Sequence, residues 1–414
     1  MAIQTLIGIT NILAISLLLY VVVWSKNRTL STIFICGLLI RIAISVLQEK
    51  YHLFPYDWDE ATFYSAAQKV YDYFTGIRVE YPFDRIYSVS SYGSLLGSIF
   101  YFFGSSSIIA RLLNALFGSI IILTTYRLSM IVGLENRRAL FVSAIIAFTP
   151  SYIIYSSLIM RDMIVWILLF MIVIKWTKYI NGENTIDFIF GVMFSLILIP
   201  FRKQYAPILV ICAMAVVIVI FLRKRVCYQN VQINLIKYTF ILSIILITGV
   251  LSFLLLKFEI SSWGDDSIIE YLGSQLGWRI QGGTAYMTSV EYSSLIDIIK
   301  YLPLRFIHFT FGPFLWTSSS YLVILSAMET LIGTVFFIII LFNTKNIFQK
   351  IDFRFYSTIF ILMFALLGLL SNAIIDSNYG TAMRHRMVFM PFIFIIACHI
   401  VTIIVPNGNK YVSD

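Results

Sequence analysis

Long apolar runs separated by short polar segments follow one another along the whole chain. Each run is close to the roughly 20 apolar residues that a helix needs to cross the hydrocarbon core of a bilayer. The first run has no small-residue cleavage site, so we interpret it as a retained helix and not as a signal peptide. The pattern predicts an all-α, polytopic membrane protein with a single transmembrane domain over residues 1–414 and eleven spans, at about 5–24, 30–48, 107–131, 139–158, 163–180, 186–201, 205–222, 237–256, 318–341, 355–374 and 387–405.

Two connections between the predicted spans are too long to be simple turns. They cover residues 49–104 and 257–316, and long loops in compact proteins tend to carry function. Within the first, residues 88–104 are apolar but interrupted by glycines. We predict an amphipathic helix there, lying flat at the membrane interface. A second interfacial helix is predicted near the end of the other connection.

Composition excludes several classes of protein. The chain is 59% hydrophobic and 12% charged, whereas a soluble domain carries about 25% charged residues. No Walker loop and no glycine-rich dinucleotide motif occurs, which argues against a nucleotide-driven pump. The four cysteines show no metal-ligand spacing, and no disulfide is predicted.

The distribution of charge predicts the orientation. With the N-terminus outside, the inside connections and segment ends contain 15 of the 30 Lys and Arg residues but only five of the 21 Asp and Glu residues. Cytoplasmic loops are enriched in Lys and Arg, so the net charge of +9 is explained without a nucleic-acid partner. Both long connections then lie outside. The predicted location is a bacterial plasma membrane, with the functional site on the extracytoplasmic face.

A short acidic stretch, Asp57-Trp58-Asp59-Glu60, opens a helical pattern in the first long connection. Asp57 with Glu60 three residues later fits a capping box, and acidic side chains suit the first turn of a helix. Capping explains Asp57 and Glu60 and leaves Asp59 as the candidate catalytic carboxylate.

This stretch and the segment after it resemble the GT-C membrane glycosyltransferases. The nearest relatives by resemblance are the protein O-mannosyltransferases and the lipid A aminoarabinose transferase. The first loop of that family also carries an Asp-Glu pair at the start of a helix, although its later proline is replaced here by Tyr92-Gly93. The resemblance covers about the first 210 residues and rests on Asp59-Glu60, Tyr64, Ala66, Ala67, Tyr92-Gly93-Ser94, Phe103-Gly104-Ser105, Arg111-Leu112-Leu113-Asn114 and Gly118.

The resemblance implies a reaction and a set of roles. A sugar would move with inversion from a polyprenyl-phosphate donor to a glycan, lipid or protein acceptor outside the bilayer. Asp59 would act as the base, and Asp162 would orient the acceptor or a cation. No cofactor is assigned, and the residues leave the participation of a divalent cation open. Glu60, Tyr64 and Arg111 are expected to contact the substrate.

Several basic residues are candidates for binding the phosphate of the donor. Arg binds phosphate through two donors and Lys acts as a point charge. Basic residues at these positions would therefore suit the binding of a leaving phosphate. The alternative is that they anchor span ends at the interface, with their charged groups extended toward water. The candidates are Arg161, Arg202, Lys203, His308, Arg384, His385 and Arg386.

Two other functions remain open. The cluster Arg384-His385-Arg386 would also suit a polysaccharide polymerase or ligase that uses polyprenyl-pyrophosphate-linked glycans. A flippase or transporter of lipid-linked glycans is the second alternative, although no internal repeat of the kind found in transporters is visible. Asp265-Asp266 could hold a divalent ion, or could form a solvated turn.

Overall fold

The computed structural model describes residues 2–84, 88–182, 184–227, 267–280, 283–317, 320–343 and 353–404, together with Gly249 and Lys257. Within these ranges the chain is helical, and the only β-type pairing is an isolated antiparallel bridge between Ala285 and Asn378. The helices are α1 (Ala2–Trp24), α2 (Arg28–Tyr51), α3 (Asp57–Phe74), α4 (Ser88–Phe103), α5 (Ser107–Val132), α6 (Asn136–Phe148), α7 (Pro150–Ser156), α8 (Asp162–Gly182), α9 (Thr185–Leu198), α10 (Ala206–Cys227), α11 (Ile268–Arg279), α12 (Leu295–Phe311), α13 (Tyr321–Phe342), α14 (Phe353–Ile375), α15 (Tyr379–Arg386) and α16 (Met390–Ile404).

The prediction of a polytopic helical membrane protein is confirmed. Among the described residues, seven helices are long and apolar enough to cross a bilayer, namely α1, α2, α5, α8, α10, α13 and α14. The pairs α6/α7 and α15/α16 are bent by 58° and 54°, and counting each pair as one span gives nine. Predicted span 186–201 corresponds to the 14-residue helix α9, and predicted span 237–256 lies outside the described residues.

The chain divides into two compact units. Unit 1 comprises residues 1–128, 140–172 and 193–203, and unit 2 comprises residues 129–139, 173–192 and 204–414. Each unit has its own buried side chains. In unit 1 they include Phe34, Phe100 and Val165, and in unit 2 they include Trp176 and Phe360.

In unit 1, glycines allow α3 and α4 to approach closely. A Cβ at Gly93 would lie 2.8 Å from the Cβ of Ala66, and a Cβ at Gly97 would lie 2.6 Å from the carbonyl oxygen of Ala67. We predicted a helix over residues 88–104 despite its glycines, and the structure confirms a helix there. The helix is continuous from Ser88 to Phe103, and the missing side chains serve helix packing.

A buried arginine stabilises the break between α6 and α7. Pro150 has no N–H group, so the carbonyl of Ile146 loses its normal helical donor. The guanidinium of Arg41 replaces that donor, with Nη2 at 3.0 Å from the Ile146 oxygen and Nη1 at 3.0 Å from the Ala147 oxygen. Its Nε also donates to the hydroxyl of Ser156 at 2.9 Å. Arg41 therefore fixes the direction in which the chain enters the connection to α8.

Unit 2 is centred on α14, which packs against α10, α12 and α16. Phe364 of α14 contacts Phe389, with ring centroids 6.0 Å apart, and Phe392, at 5.4 Å. From α12, the buried Arg305 donates through Nε to the carbonyl of Ala373 at 2.9 Å. The C-terminal end of α14 is thus held by a side chain of the second long connection.

Candidate functional site

The acidic stretch begins α3, but not in the predicted way. The N-cap is Tyr56, which makes no side-chain capping hydrogen bond, and the helix starts at Asp57. The predicted capping box of Asp57 and Glu60 is therefore wrong. The side chain of Glu60 is buried at 3% exposure, because it binds groups from other segments and does not turn back to the helix terminus.

Glu60 joins three segments of unit 1. Its Oε1 accepts a hydrogen bond from the backbone N–H of Ile159 at 2.7 Å. Its Oε2 accepts from Nε2 of Gln48 and from Nη2 of Arg111, both at 3.0 Å. A buried carboxylate is stable only when charge and hydrogen bonds compensate its desolvation. Glu60 therefore ties the start of α3 to α2, to α5 and to the connection before α8.

The segment of α5 that resembles the glycosyltransferases forms the other half of this network. Arg111 also donates to Oε2 of Glu49 at 3.2 Å, and Ser107 donates to the other oxygen of that carboxylate. Three residues along, Asn114 donates to the carbonyls of Leu158 and Met160 at 2.6 and 2.9 Å. Arg111 and Asn114 thus position the connection 157–161.

Asp162 and Arg202 form a buried ion pair. Nη2 of Arg202 lies 2.5 Å from Oδ1 of Asp162, and the two side chains are 3% and 1% exposed. The preceding residue, Arg161, places its guanidinium 5.7 Å from the ring centre of Phe63 on α3. The two residues at the start of α8 are therefore bound to different elements of the same unit.

The remaining candidates of unit 1 are more accessible. Asp59 is half-buried in the first turn of α3, and Lys203 is half-buried at the start of a short 3₁₀ helix. Tyr64 is half-buried and packs edge-on against Phe100, with centroids 5.8 Å apart. Burial, with the charges of Glu49 and Asp72, raises the pKa of Tyr64 above its ordinary value. This tyrosine stays protonated at neutral pH and can donate a hydrogen bond.

A cleft with a cavity volume of about 390 Å³ lies along the outer face of α3. We call it the α3 cleft. Its lining residues are Trp58, Ala61, Thr62, Ser65, Ala66, Lys69, Phe83 and Val89. Asp59 directly follows Trp58 in the sequence but is not itself a lining residue.

Unit 2 contains a separate buried carboxylate, Asp376, just after α14. It pairs with Arg279 and with Nδ1 of His385, the latter at 2.7 Å. Its backbone oxygen accepts from Nη2 of Arg305 at 2.7 Å and from the hydroxyl of Tyr286 at 2.6 Å. Burial by itself raises the pKa of this carboxyl, but the charges and hydrogen bonds of Arg279 and His385 outweigh burial and hold the pKa well below its usual range.

The predicted phosphate cluster 384–386 lies on α15. Arg386 is buried and donates to Oγ1 of Thr330 at 2.6 Å and to the carbonyl of Phe309 at 3.1 Å. His385 is engaged by Asp376, while Arg384 is half-buried. Arg386 thus joins α15 to α12 and α13, and His385 joins α15 to the residue that follows α14. Phosphate binding by the cluster stays a prediction.

His308 belongs to an aromatic group in unit 2. Its ring stacks on Tyr286 with centroids 5.4 Å apart, and its Nδ1 lies 2.9 Å from the hydroxyl of Tyr379. Burial and the charge of Arg305 lower the pKa of His308 below its ordinary value. The imidazole is therefore neutral near pH 7, which weakens it as a direct phosphate ligand.

Two important residues were missed at the level of sequence. Arg41 is an ionisable residue in the middle of a predicted span, and such residues are functional or structural candidates by default. Asp376 follows a span end shortly before a basic cluster, which could have identified it as the partner of that cluster. Among the described residues no group of His, Cys, Asp and Glu could hold a metal ion, and Asp265-Asp266 lies outside them.

The chain is thus an all-helical, multi-pass membrane protein with a polar network in each unit. In comparisons with known proteins, no family model, curated protein or solved structure matches the chain.

Proposed function

We propose that this protein is a glycosyltransferase of the GT-C type, which moves a sugar from a polyprenyl-phosphate donor to an acceptor at the extracytoplasmic face. The observation that carries the proposal is the network around Glu60. It binds the first turn of α3, which carries the half-buried Asp59, to the connection 157–161. A catalytic group needs a rigid support that holds it within a fraction of an ångström of the productive geometry.

In the proposed reaction the acceptor hydroxyl attacks the anomeric carbon of the sugar. The bond from that carbon to the phosphate oxygen breaks, and polyprenyl phosphate leaves with the bonding electrons. Asp59 takes the hydroxyl proton as general base. Inversion follows from a single displacement, so no covalent intermediate with the protein is needed.

The departing phosphate requires positive charge close by. Lys203 is half-buried and can supply it directly. Arg202 is adjacent in sequence and is held by Asp162, so Asp162 would position a cation and not the acceptor. This assignment differs from the role that the resemblance implied for Asp162.

The test is sugar transfer by Asp59→Asn. The full-length protein would be reconstituted in vesicles and supplied with polyprenyl-phosphate hexoses carrying a labelled sugar, together with membranes of the source cell as acceptor. We expect wild type to transfer label and D59N to lose at least about 100-fold in rate, the usual contribution of a general base. Near-wild-type transfer by D59N would overturn the assignment.

Asp72→Asn is the matched control. Asp72 lies on the same helix and accepts a hydrogen bond from Gln68 at 2.9 Å, outside the network described here. D72N should transfer sugar at the wild-type rate. Equal loss in D59N and D72N would indicate damage to the helix and not removal of a base.

A polymerase or ligase that uses polyprenyl-pyrophosphate-linked glycans is the second candidate. The observation in its favour is the concentration of Arg279, Arg305 and His385 around Asp376, with Arg386 next to His385 on α15. The two functions differ in donor. Activity with oligosaccharide pyrophosphates, and none with monosaccharide monophosphates, would select the second.

A further inference from the structure

The α3 cleft has one wall made by a single helical face. Residues 58, 61, 62, 65 and 69 recur at intervals of three and four, and this spacing places them on the same side of an α-helix. Phe83 and Val89 contribute from outside that helix. Small-molecule sites in proteins have volumes of roughly 300–1,000 Å³, and the α3 cleft falls in this range.

The chemistry of the lining suits a ligand that has both apolar faces and hydroxyl groups. Trp58 is 78% exposed, so its indole offers a broad flat surface. The hydroxyl of Thr62 donates to the carbonyl of Trp58 at 2.9 Å, which leaves its oxygen lone pairs as acceptors. The hydroxyl of Ser65 has no partner within the described part of the chain, and Lys69 adds an ammonium donor.

Charge narrows the class of ligand. The lining contains one cation, Lys69, and no carboxylate. A cationic ligand is therefore disfavoured. A carbohydrate fits, because the C–H face of a sugar ring packs on an aromatic side chain while its hydroxyls exchange hydrogen bonds with Ser, Thr and Lys.

The cleft is also correctly placed with respect to the candidate base. Successive residues of an α-helix are rotated by about 100°. Asp59 therefore lies about 100° around the axis from Trp58, and Ala66, at eight residues, lies about 80° from Trp58. Asp59 therefore lies on nearly the same side of α3 as Ala66, which lines the cleft, and about two turns nearer the N-terminus.

We propose that the α3 cleft binds the acceptor of the transfer reaction, and that this acceptor is a short glycan whose terminal ring stacks on Trp58. This inference rests on the proposed function, which it deepens by assigning the acceptor class and the residues that recognise it. A glycan lying along the cleft presents its terminal hydroxyls toward the first turn of α3, within reach of Asp59.

The test measures glycan binding independently of transfer. Full-length protein in phosphatidylglycerol–phosphatidylethanolamine nanodiscs would be titrated with neutral trisaccharides, such as maltotriose and cellotriose, and with a hexuronate disaccharide, observed by saturation-transfer difference NMR. We expect wild type to bind at least one of them. Trp58→Ala should weaken that binding by about tenfold, as expected for loss of a central aromatic anchor. Trp58→Phe should keep most of it.

Two further variants sharpen the result. Trp278→Ala removes another exposed tryptophan, 61% accessible and outside the cleft, and should leave binding unchanged. Lys69→Gln should weaken the hexuronate more than the neutral trisaccharides if the ammonium contacts the glycan. Equal affinity in wild type and W58A, or no binding of any glycan by wild type, would overturn the proposal.

A position in the bilayer is the competing role for Trp58, and the same samples test it. The contribution of this residue to fluorescence is the difference between wild type and W58F. If brominated lipid quenches the fluorescence of Trp58, obtained as this difference, the indole lies among the acyl chains and the proposal is overturned.

Asp59→Asn separates this inference from the proposed function. D59N should bind glycans as wild type does while transferring no sugar. Retained transfer in D59N would reject the proposed function. Unaltered glycan binding in W58A, with D59N inactive, would reject only the assignment of the cleft.

Discussion

The guanidinium of Arg202 donates to the carboxylate of Asp162 at 2.5 Å, and both side chains are almost fully buried. The resemblance implied that Asp162 orients the acceptor or a cation, and Arg202 was predicted to bind the phosphate of the donor. In the folded chain they neutralise each other, which allows both to be buried at the turn that carries Lys203. Asp162 is thus best understood as a residue that positions Arg202.

Arg202→Gln should destabilise the protein strongly. It leaves the Asp162 carboxylate buried without its cation, and breaking a buried pair in this way costs about 3–5 kcal/mol. The free energy of unfolding, measured by denaturant titration in mixed micelles, checks this expectation. Lys175→Gln is the comparison, because the Lys175–Asp187 pair is more exposed, at 23% and 16%, and its loss should cost less. Similar losses in both variants would contradict the prediction.

Glu60→Gln distinguishes a buried network from a helix cap. The amide keeps the shape but removes the charge that faces Arg111, so we expect a loss of about 3–5 kcal/mol in the free energy of unfolding. A capping residue contributes only about 0.5–2 kcal/mol. Glu270→Gln provides that comparison, since Glu270 forms a capping box with Ser267 at the surface. A loss in E60Q no larger than in E270Q would show that the network contributes little.

Gly97→Ala should separate α3 from α4. The new Cβ would lie 2.6 Å from both the Ala67 carbonyl oxygen and the Val70 Cβ, and such overpacking typically costs about 1–3 kcal/mol. Gly277→Ala is the matched change, because nothing lies within 4 Å of a Cβ there. Alanine should stabilise that helix by up to about 1 kcal/mol. Melting temperatures moving in opposite directions would support the close packing, and a neutral G97A would argue against it.

Asp376 should make the protein sensitive to acid. Its folded-state pKa is held low by Arg279 and His385, whereas an unfolded Asp titrates near about 3.9. Its contribution to stability is therefore complete above the unfolded pKa and is lost as the pH falls toward the lower folded pKa. Melting temperatures between neutral pH and about pH 3 should fall less steeply in Asp376→Asn than in wild type.

Asp297→Asn is the control for this pH dependence. Asp297 is half-buried, and hydrogen bonds from Ser293 and Ser294 also lower its pKa. Its shift comes from hydroxyl and backbone donors and not from cations, so D297N should flatten the pH dependence of the melting temperature less than D376N does. If the melting temperature falls equally steeply toward acid pH in wild type and D376N, other groups dominate the acid sensitivity.

Much of the architecture could be read from the order of residues. The length and apolar character of each run identify spanning helices such as α1, α2 and α14, because a bilayer core imposes a minimum length. The glycines at 93 and 97 were noticed, but their role was not, since a missing side chain matters only when a neighbouring helix is known. Nine of the eleven predicted spans are matched when each bent pair counts as one span; helix α9 has only 14 residues, and predicted span 237–256 lies outside the described residues.

For the candidate site, too, the sequence identified the residues while the tertiary structure was needed to find their partners. Residue type and position identified Asp59, Glu60, Asp162 and Arg202 as charged groups that need an explanation, and the resemblance to the glycosyltransferases added Arg111. Only the tertiary structure decided which of them form buried ion pairs and hydrogen bonds within the protein. Glu60 binds Arg111 and the Ile159 amide, and Asp162 binds Arg202, because partners tens of residues apart meet only when α2, α3, α5 and α8 pack together. Local sequence dictates helices and their polarity, whereas charge pairing depends on contacts that the chain order does not contain.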